Sequence, residues 1–102
     1  MTFSIVACDL EERAWGVAVA SKFPAVGAVV PWAQAEAGAV ATQSHSNTTF
    51  GPRGLALMGT GLSAQQALDR LIEDDTDKEL RQVGLVDARG GSATFSGSRC
   101  FA

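Results

Sequence analysis

The opening residues of the chain alternate in a pattern that restricts the folds available to it. As an extended strand, the segment MTFSIVACD has two faces, one formed by Phe3, Ile5 and Ala7 and the other by Ser4, Val6 and Cys8. Both faces are largely apolar, and a strand of this kind lies between two layers rather than at a wet surface. We therefore expect a layered fold in which other elements cover this strand on both sides.

Five further strands are predicted along the chain. Three follow the first one, in GVAVASKF (16–23), AVGAVVPW (25–32) and AGAVATQS (37–44). The polar segment before Gly16 predicts a turn that pairs the first two strands antiparallel. A closing hairpin is predicted in LRQVGLVDARGGSATFSGS, with its two adjacent glycines at the turn.

Only two helices are predicted, and both lie between the fourth and fifth strands. Pro52 suits the first turn of a helix over 52–59, where its missing N–H costs nothing. Ser63 and Gln66 form a capping box at the start of a second helix over 64–73. The order of elements predicts an α+β fold with one domain over residues 1–102.

The composition excludes several classes of protein. The chain carries a formal net charge of -3 and has no cluster of Lys or Arg, which argues against nucleic acid or membrane as a partner. No apolar run approaches the roughly 18 residues that span a bilayer, and the start lacks the pattern of a secretory signal. Cys8, His45 and Cys100 do not stand at metal-ligand spacing. We expect a cytoplasmic protein that needs no metal and no cofactor.

Thr2 is the strongest candidate for a catalytic residue. Removal of Met1 would leave Thr2 with a free amine and a hydroxyl on one residue, which together make a nucleophile and its base. If the first two strands pair, the end of the second strand brings Ser21 and Lys22 beside Thr2. Lys22 could then adjust the pKa of the amine. The alternatives are an ordinary strand residue at position 2 and an exposed lysine at the end of a strand.

A second polar segment, TQSHSN, follows the fourth predicted strand. Its N–H groups and side chains could stabilise an oxyanion or bind substrate. The candidates in this segment are Thr42, Gln43, Ser44, His45 and Asn47.

Arg53 is unusual because a cation in the first turn of a helix opposes the helix dipole. It lies between Gly51 and Gly54, whose exposed backbone would let an anion approach. Two explanations remain open: a corner that binds a carboxylate or phosphate, and a structural ion pair with Asp or Glu.

Several segments carry a resemblance to a known family. MTFSIVACD, GVAVASKFPAVGAVVPWA, AGAVATQS, FGPRGLALM, GLSAQQALDRLIEDD and RQVGLVDARGGSATFSG resemble the N-terminal half of a bacterial family catalogued as domain of unknown function 1028. The resemblance implies an N-terminal-nucleophile (Ntn) hydrolase fold, an αββα sandwich of which this chain supplies a portion. It also implies hydrolysis of an amide or peptide-like bond in a small substrate.

Two rival hypotheses accompany this amidohydrolase. One is a non-catalytic binding or scaffold protein that keeps the fold. The other is an enzyme whose nucleophile is Cys100, or a residue beyond Ala102, released by cleavage. Because two helices can cover only one face of a sheet, we also expect association with a second copy or a second chain.

Overall fold

The computed structural model describes residues 2–22, 26–28, 30–45 and 47–100 of the chain. Its strands form two antiparallel sheets. A hairpin consists of β1 (Thr2–Asp9) and β2 (Ala14–Ser21). A four-stranded sheet contains, in spatial order, β3 (Pro31–Gln34), β4 (Gly38–Ser44), β5 (Arg81–Asp87) and β6 (Ser92–Ser96). Helices α1 (Phe50–Gly59) and α2 (Ala64–Glu73) connect β4 to β5.

The two helices cover one face of the four-stranded sheet and bury the core there. Alternate residues of the strands point to this face, and apolar side chains of the helices pack against them. The largest fully buried apolar side chains are Val40, Phe50, Leu68, Leu71 and Leu85. The core of the domain thus lies between the helices and the sheet.

The hairpin lies on the opposite face of the four-stranded sheet. β1 lies over β4 and β5, and β2 lies over β3 and β4. Trp15 fixes the far end of the hairpin, because its indole Nε1 donates to the carbonyl oxygen of Asp87 at 3.0 Å. The described residues therefore form three layers, in the order helices, four-stranded sheet, hairpin.

The outer face of the hairpin is exposed in these residues. Phe3 and Ile5 are 66% and 63% exposed, and small residues of β2 lie beside them, since Phe3 pairs with Ala20 and Ile5 with Ala18. The expectation that β1 would be covered on both sides is thus met on one side only within the described residues.

Asp87 joins the ends of three elements on the helix side of the sheet. Its carboxylate accepts hydrogen bonds from the backbone N–H groups of Ala64 at 2.8 Å and of Arg89 and Gly91 at 2.9 Å each. Burial raises the pKa of Asp87, but these three donors outweigh burial and hold its pKa below the usual range. The start of α2 and the β5–β6 turn are thereby fixed to the end of β5.

The structure confirms most of the predicted elements and corrects one of them. The capping box of Ser63 and Gln66 is present in full, and α1 begins two residues before Pro52. The strand predicted over 25–32 is wrong in its first part, because Val26–Ala28 form a 3-10 turn. Val30 N–H closes this turn on the carbonyl of Val26 at 3.1 Å, so β3 begins only at Pro31.

None of the helices in the described ranges is long and apolar enough to span a membrane.

Candidate active site

Thr2 lies at the first position of β1 and faces the end of β2. The register of the hairpin pairs Thr2 with Ser21, and the two hydroxyl oxygens are 2.9 Å apart. Lys22 follows Ser21 directly and is exposed. The hairpin therefore brings Thr2 and Ser21 into contact, as the sequence predicts, and places Lys22 at the same end. Met1 lies outside the described residues.

Gln43 connects Thr2 to the four-stranded sheet. Its amide nitrogen donates to the carbonyl oxygen of Thr2 at 3.1 Å and to Oε1 of Gln82. Its amide oxygen accepts from the hydroxyl of Ser4 at 2.7 Å. Because Gln43 is only 8% exposed, these bonds stand in a largely dry environment and fix the backbone of Thr2 relative to β4.

The other candidates in the polar segment have different surroundings. Thr42 is fully buried and, by alternation with Gln43, points to the helix face of β4. Ser44 ends the strand with a φ of 70°. The backbone of His45 makes two hydrogen bonds. Its N–H donates to the carbonyl oxygen of Leu80 at 3.2 Å, and its carbonyl oxygen accepts from the guanidinium of Arg81 at 2.8 Å.

Asn47 and Arg53 make local contacts at the start of α1. The side-chain oxygen of Asn47 accepts from the N–H and the hydroxyl of Thr49, at 3.1 and 2.6 Å. Arg53 pairs with Asp74 at 3.5 Å, and the two side chains are 40% and 74% exposed. Of the two explanations for Arg53, the structure thus contains the ion pair, an exposed contact of small energetic value.

An open cleft of about 510 Å³ lies beside β1. It lies over the part of the four-stranded sheet that the hairpin does not cover. Ser4 and Val6 line its hairpin side, and Gln82, Gly84 and Thr94 line its floor. No charged side chain is among the lining residues. Ser4 and Gln43 belong both to this cleft and to the contacts around Thr2, so the cleft and the Thr2 end of β1 are continuous.

The sequence does not predict Ser4, Gln82 or Ser96 as site residues. Gln82 pairs with Gln43 across β4 and β5 and with Ser96 across β5 and β6, and its amide donates to the Ser96 hydroxyl at 3.0 Å. One sequence pattern could have indicated them. Each is a polar residue on a strand face whose other residues are small or apolar.

Cys100, the alternative nucleophile, lies near the end of the described residues. The thiol of Cys100 is half-buried and donates to the carbonyl of Arg81 at 3.0 Å, far along the chain from Thr2. No group of three or more His, Cys, Asp or Glu side chains in these ranges is arranged to hold a metal ion.

The fold defines an α+β protein with two sheets and two helices, and comparison with known proteins gives its family. Residues 2–102 match DUF1028, a family of unknown function. The chain belongs to the DUF1028 family.

A member of this family from Silicibacter pomeroyi has a known crystal structure that resembles the chain closely. The two superpose with a TM-score of 0.92 at 32% sequence identity, over 97% of this chain and 44% of the other. The chain thus spans less than half the length of that relative. No curated protein matches the chain.

Proposed function

We propose that the chain carries the nucleophile of an Ntn-type amidohydrolase, with Thr2 as its N-terminal residue. The hydroxyl oxygen of Thr2 attacks the carbonyl carbon of an amide, and the α-amine takes the hydroxyl proton. That proton passes to the leaving amine as the C–N bond breaks. Water then hydrolyses the acyl-threonine ester and restores the hydroxyl. The observation that carries this proposal is the 2.9 Å contact of the Thr2 and Ser21 hydroxyls at the start of β1.

The surroundings of Thr2 suit the role because they fix its position. Gln43 holds the Thr2 carbonyl, while Ser21 orients the hydroxyl. A preorganised nucleophile avoids the cost of ordering it in the transition state. Lys22, the residue after Ser21, supplies a positive charge. This charge favours the neutral form of the Thr2 α-amine, which is the form that acts as a base. Of the N–H groups at the end of β4, that of Thr42 donates to the carbonyl of Val30 at 3.0 Å and that of Gln43 faces β5. The N–H of Ser44 is therefore the proposed oxyanion donor.

The proposal extends to the finer fold and assembly. We infer that residues 1–102 are one portion of an αββα sandwich, in which a further layer covers the apolar outer face of the hairpin around Phe3 and Ile5. A second copy or a second chain supplies that layer, and the enzyme works in the cytoplasm. The substrate is a small amide or peptide-like molecule.

Mass spectrometry and covalent labelling test the mechanism. The purified chain is treated with a β-lactone, which acylates activated hydroxyl nucleophiles, and the adduct is located by peptide mapping. We expect Met1 to be absent and the adduct to lie on Thr2. The Thr2→Ala variant should lose the adduct, whereas Thr60→Ala, at an exposed threonine, should keep it.

The rivals give different results in the same experiment. A chain that retains Met1, or that takes no label at Thr2, lacks the nucleophile and is a binding or scaffold protein. A label on Cys100 would instead assign the chemistry to the thiol.

A further inference from the structure

Ser44 has a backbone conformation that a serine rarely adopts. Its φ is 70°, in the left-handed region that glycine enters freely and that other residues occupy at an energetic cost. A residue persists there when its surroundings fix it, and such residues cluster at functional sites. Rotation about the Ser44 N–Cα bond turns the peptide plane that carries the Ser44 N–H relative to the next residue. Whatever fixes that next residue therefore also sets the direction of the N–H.

His45, the next residue, is fixed on both sides of its Cα. Its N–H donates to the carbonyl oxygen of Leu80, and its carbonyl oxygen accepts from Nη1 of Arg81 at 2.8 Å. Leu80 and Arg81 are consecutive, and Arg81 begins β5. A return of Ser44 to an extended φ would swing His45 away from β5 and break these two bonds. The start of β5 thus holds Ser44 in its left-handed conformation.

Asp75 holds the guanidinium of Arg81 in place. Nε of Arg81 donates to Oδ2 of Asp75 at 2.7 Å, and Nη2 donates to Oδ1 at 3.2 Å. This two-point contact fixes the plane of the guanidinium. Asp75 is itself fixed at the end of α2, because its N–H donates to the carbonyl oxygen of Ile72 at 3.1 Å. The third nitrogen, Nη1, is thereby directed at the carbonyl oxygen of His45.

The burial of this ion pair distinguishes it from its neighbour in sequence. The Arg81 and Asp75 side chains are 15% and 6% exposed, whereas Arg53 and Asp74 form an exposed pair. Removal of charges from water is costly, so a buried ion pair is weak evidence of stabilisation. A role in fixing one conformation fits the contacts of the pair, because its third nitrogen bonds to the residue that follows Ser44.

We propose that Arg81 and Asp75 are positioning residues for the N–H of Ser44, the oxyanion donor of the proposed hydrolase. This inference rests on the proposed function. The carboxylate orients the guanidinium, the guanidinium holds the carbonyl of His45, and the fixed His45 keeps Ser44 at its left-handed φ. Neither Arg81 nor Asp75 touches the substrate. They act on the step that forms the oxyanion, because a donor already directed at that oxygen stabilises the transition state more than the ground state.

The test measures acylation of Thr2 by a β-lactone over a range of reagent concentrations. This separates the maximal rate of acylation from the concentration that gives half of that rate. The Thr2 hydroxyl oxygen attacks the lactone carbonyl carbon, an oxyanion forms, and the ring C–O bond then breaks. We expect Arg81→Lys to lower the maximal rate by roughly tenfold to a hundredfold, less than the loss of a whole oxyanion donor. Lys keeps the charge but cannot make the two-point contact, and the half-saturating concentration should not change.

Two substitutions at adjacent positions form a matched pair. Asp75→Asn removes the charge that orients the guanidinium. It should lower the maximal rate by roughly tenfold, since a charge-assisted hydrogen bond becomes a neutral one. Asp74→Asn makes the same change in the exposed pair with Arg53 and should leave the maximal rate unchanged. Thermal unfolding verifies that each variant is folded at the temperature of the assay.

Periodate supplies a second readout that involves no oxyanion. It cleaves the Cα–Cβ bond of an N-terminal threonine, where an amine and a hydroxyl stand on adjacent carbons, and mass spectrometry identifies the product. We expect the original chain, Arg81→Lys and Asp75→Asn to be cleaved at equal rates. An original chain that takes no β-lactone label at Thr2 would reject the proposed function, and this inference with it, whether or not periodate cleaves it.

Where the original chain is labelled at Thr2, the proposed function stands, and three results would still overturn the positioning role. The first is that Arg81→Lys keeps the original maximal rate, or changes only the half-saturating concentration. The second is that Asp74→Asn loses as much of the rate as Asp75→Asn. The third is that periodate cleavage slows in parallel with acylation, because the substitutions would then displace the whole Thr2 end of the hairpin rather than one donor.

Discussion

The indole ring of Trp32 occupies the space that a Cβ on Gly51 would need. Gly51 lies in the first turn of α1, so this contact sets how closely the helix approaches β3. We expect Gly51→Ala to lower the free energy of unfolding by about 1–3 kcal/mol, because the indole or the helix must move. Urea unfolding followed by circular dichroism measures the change.

Gly59→Ala is the control for that substitution. It adds the same methyl group to the other end of α1, where the new Cβ would lie 3.8 Å from Ala37 Cβ, an ordinary contact. There we expect no loss, or a gain of about 0.5–1 kcal/mol from helix propensity. Equal effects of the two substitutions would contradict the packing argument.

Asp87→Asn should be among the most destabilising conservative substitutions in the chain. The carboxylate accepts three backbone N–H groups through its two oxygens, and the amide nitrogen of Asn cannot accept. At least one buried donor then loses its partner, which costs about 1–3 kcal/mol. Chemical unfolding at pH 7 checks this value, and an unchanged stability would show that the β5–β6 turn and α2 do not depend on the carboxylate.

Acid should destabilise the fold through Asp75 as well as Asp87. The guanidinium of Arg81, 2.7 Å from Asp75, lowers the pKa of that carboxyl, although burial partly opposes it. The folded-state pKa of Asp75 thus lies below the value of about 3.9 that an aspartate has in the unfolded chain. The stability that Asp75 contributes is complete at a pH above about 3.9, and it is lost as the pH falls through the folded-state pKa.

We therefore expect the free energy of unfolding to fall as the pH is lowered from 5 to about 2. The Asp75→Asn variant should be less stable at pH 5 and should show a shallower slope below it. A slope identical to that of the original chain would exclude Asp75 as a contributor.

Gln43→Glu tests the link between the two sheets. The substitution places a carboxylate oxygen against the carbonyl oxygen of Thr2 and Oε1 of Gln82, where an N–H donor now stands. We expect a loss of about 2 kcal/mol or more at pH 7. The deficit should shrink at low pH, because a protonated Glu can again donate to one of these oxygens. A deficit that does not change with pH would mean that Gln43 acts through its shape rather than its donor.

Ser21→Ala tests the proposed chemistry without removing the nucleophile. The Thr2 hydroxyl loses its 2.9 Å partner, so we expect β-lactone acylation of Thr2 to slow by roughly tenfold, the rate equivalent of one hydrogen bond of about 1.4 kcal/mol. Ser98→Ala, at an exposed serine remote in sequence, should not change the rate. Equal rates for Ser21→Ala and the original chain would remove Ser21 from the site.

Local patterns were sufficient to predict much of the fold. The Ser63–Gln66 capping box and the β1–β2 turn depend on neighbours in sequence, and the turn alone places Ser21 opposite Thr2. The 3-10 turn at Val26–Ala28 was not predictable in this way, because a short apolar run such as AVGAVV is typical of a buried strand. This turn is instead held by a contact between residues distant in sequence. The carbonyl of Val30, which follows the turn, accepts from the N–H of Thr42 on β4 at 3.0 Å.

The hydrogen-bond partners of Gln43 could not be predicted from the sequence either. Gln43 and Gln82 are joined through the register of β4 and β5, and two helices separate those strands along the chain. The packing of the helices on the sheet sets that register, so no short-range pattern could bring the two amides together. The sequence predicted Gln43 as a site residue, but not its partners Ser4 and Gln82.

The chain's two tryptophans lie in different layers, which makes them natural reporters of separate events. Trp15 holds the hairpin through the carbonyl of Asp87, and Trp32 packs against α1. Emission from a Trp32→Phe variant would follow release of the hairpin, and emission from a Trp15→Phe variant would follow melting of the helical layer. The order in which the two signals change during unfolding would show whether the hairpin detaches before the core opens.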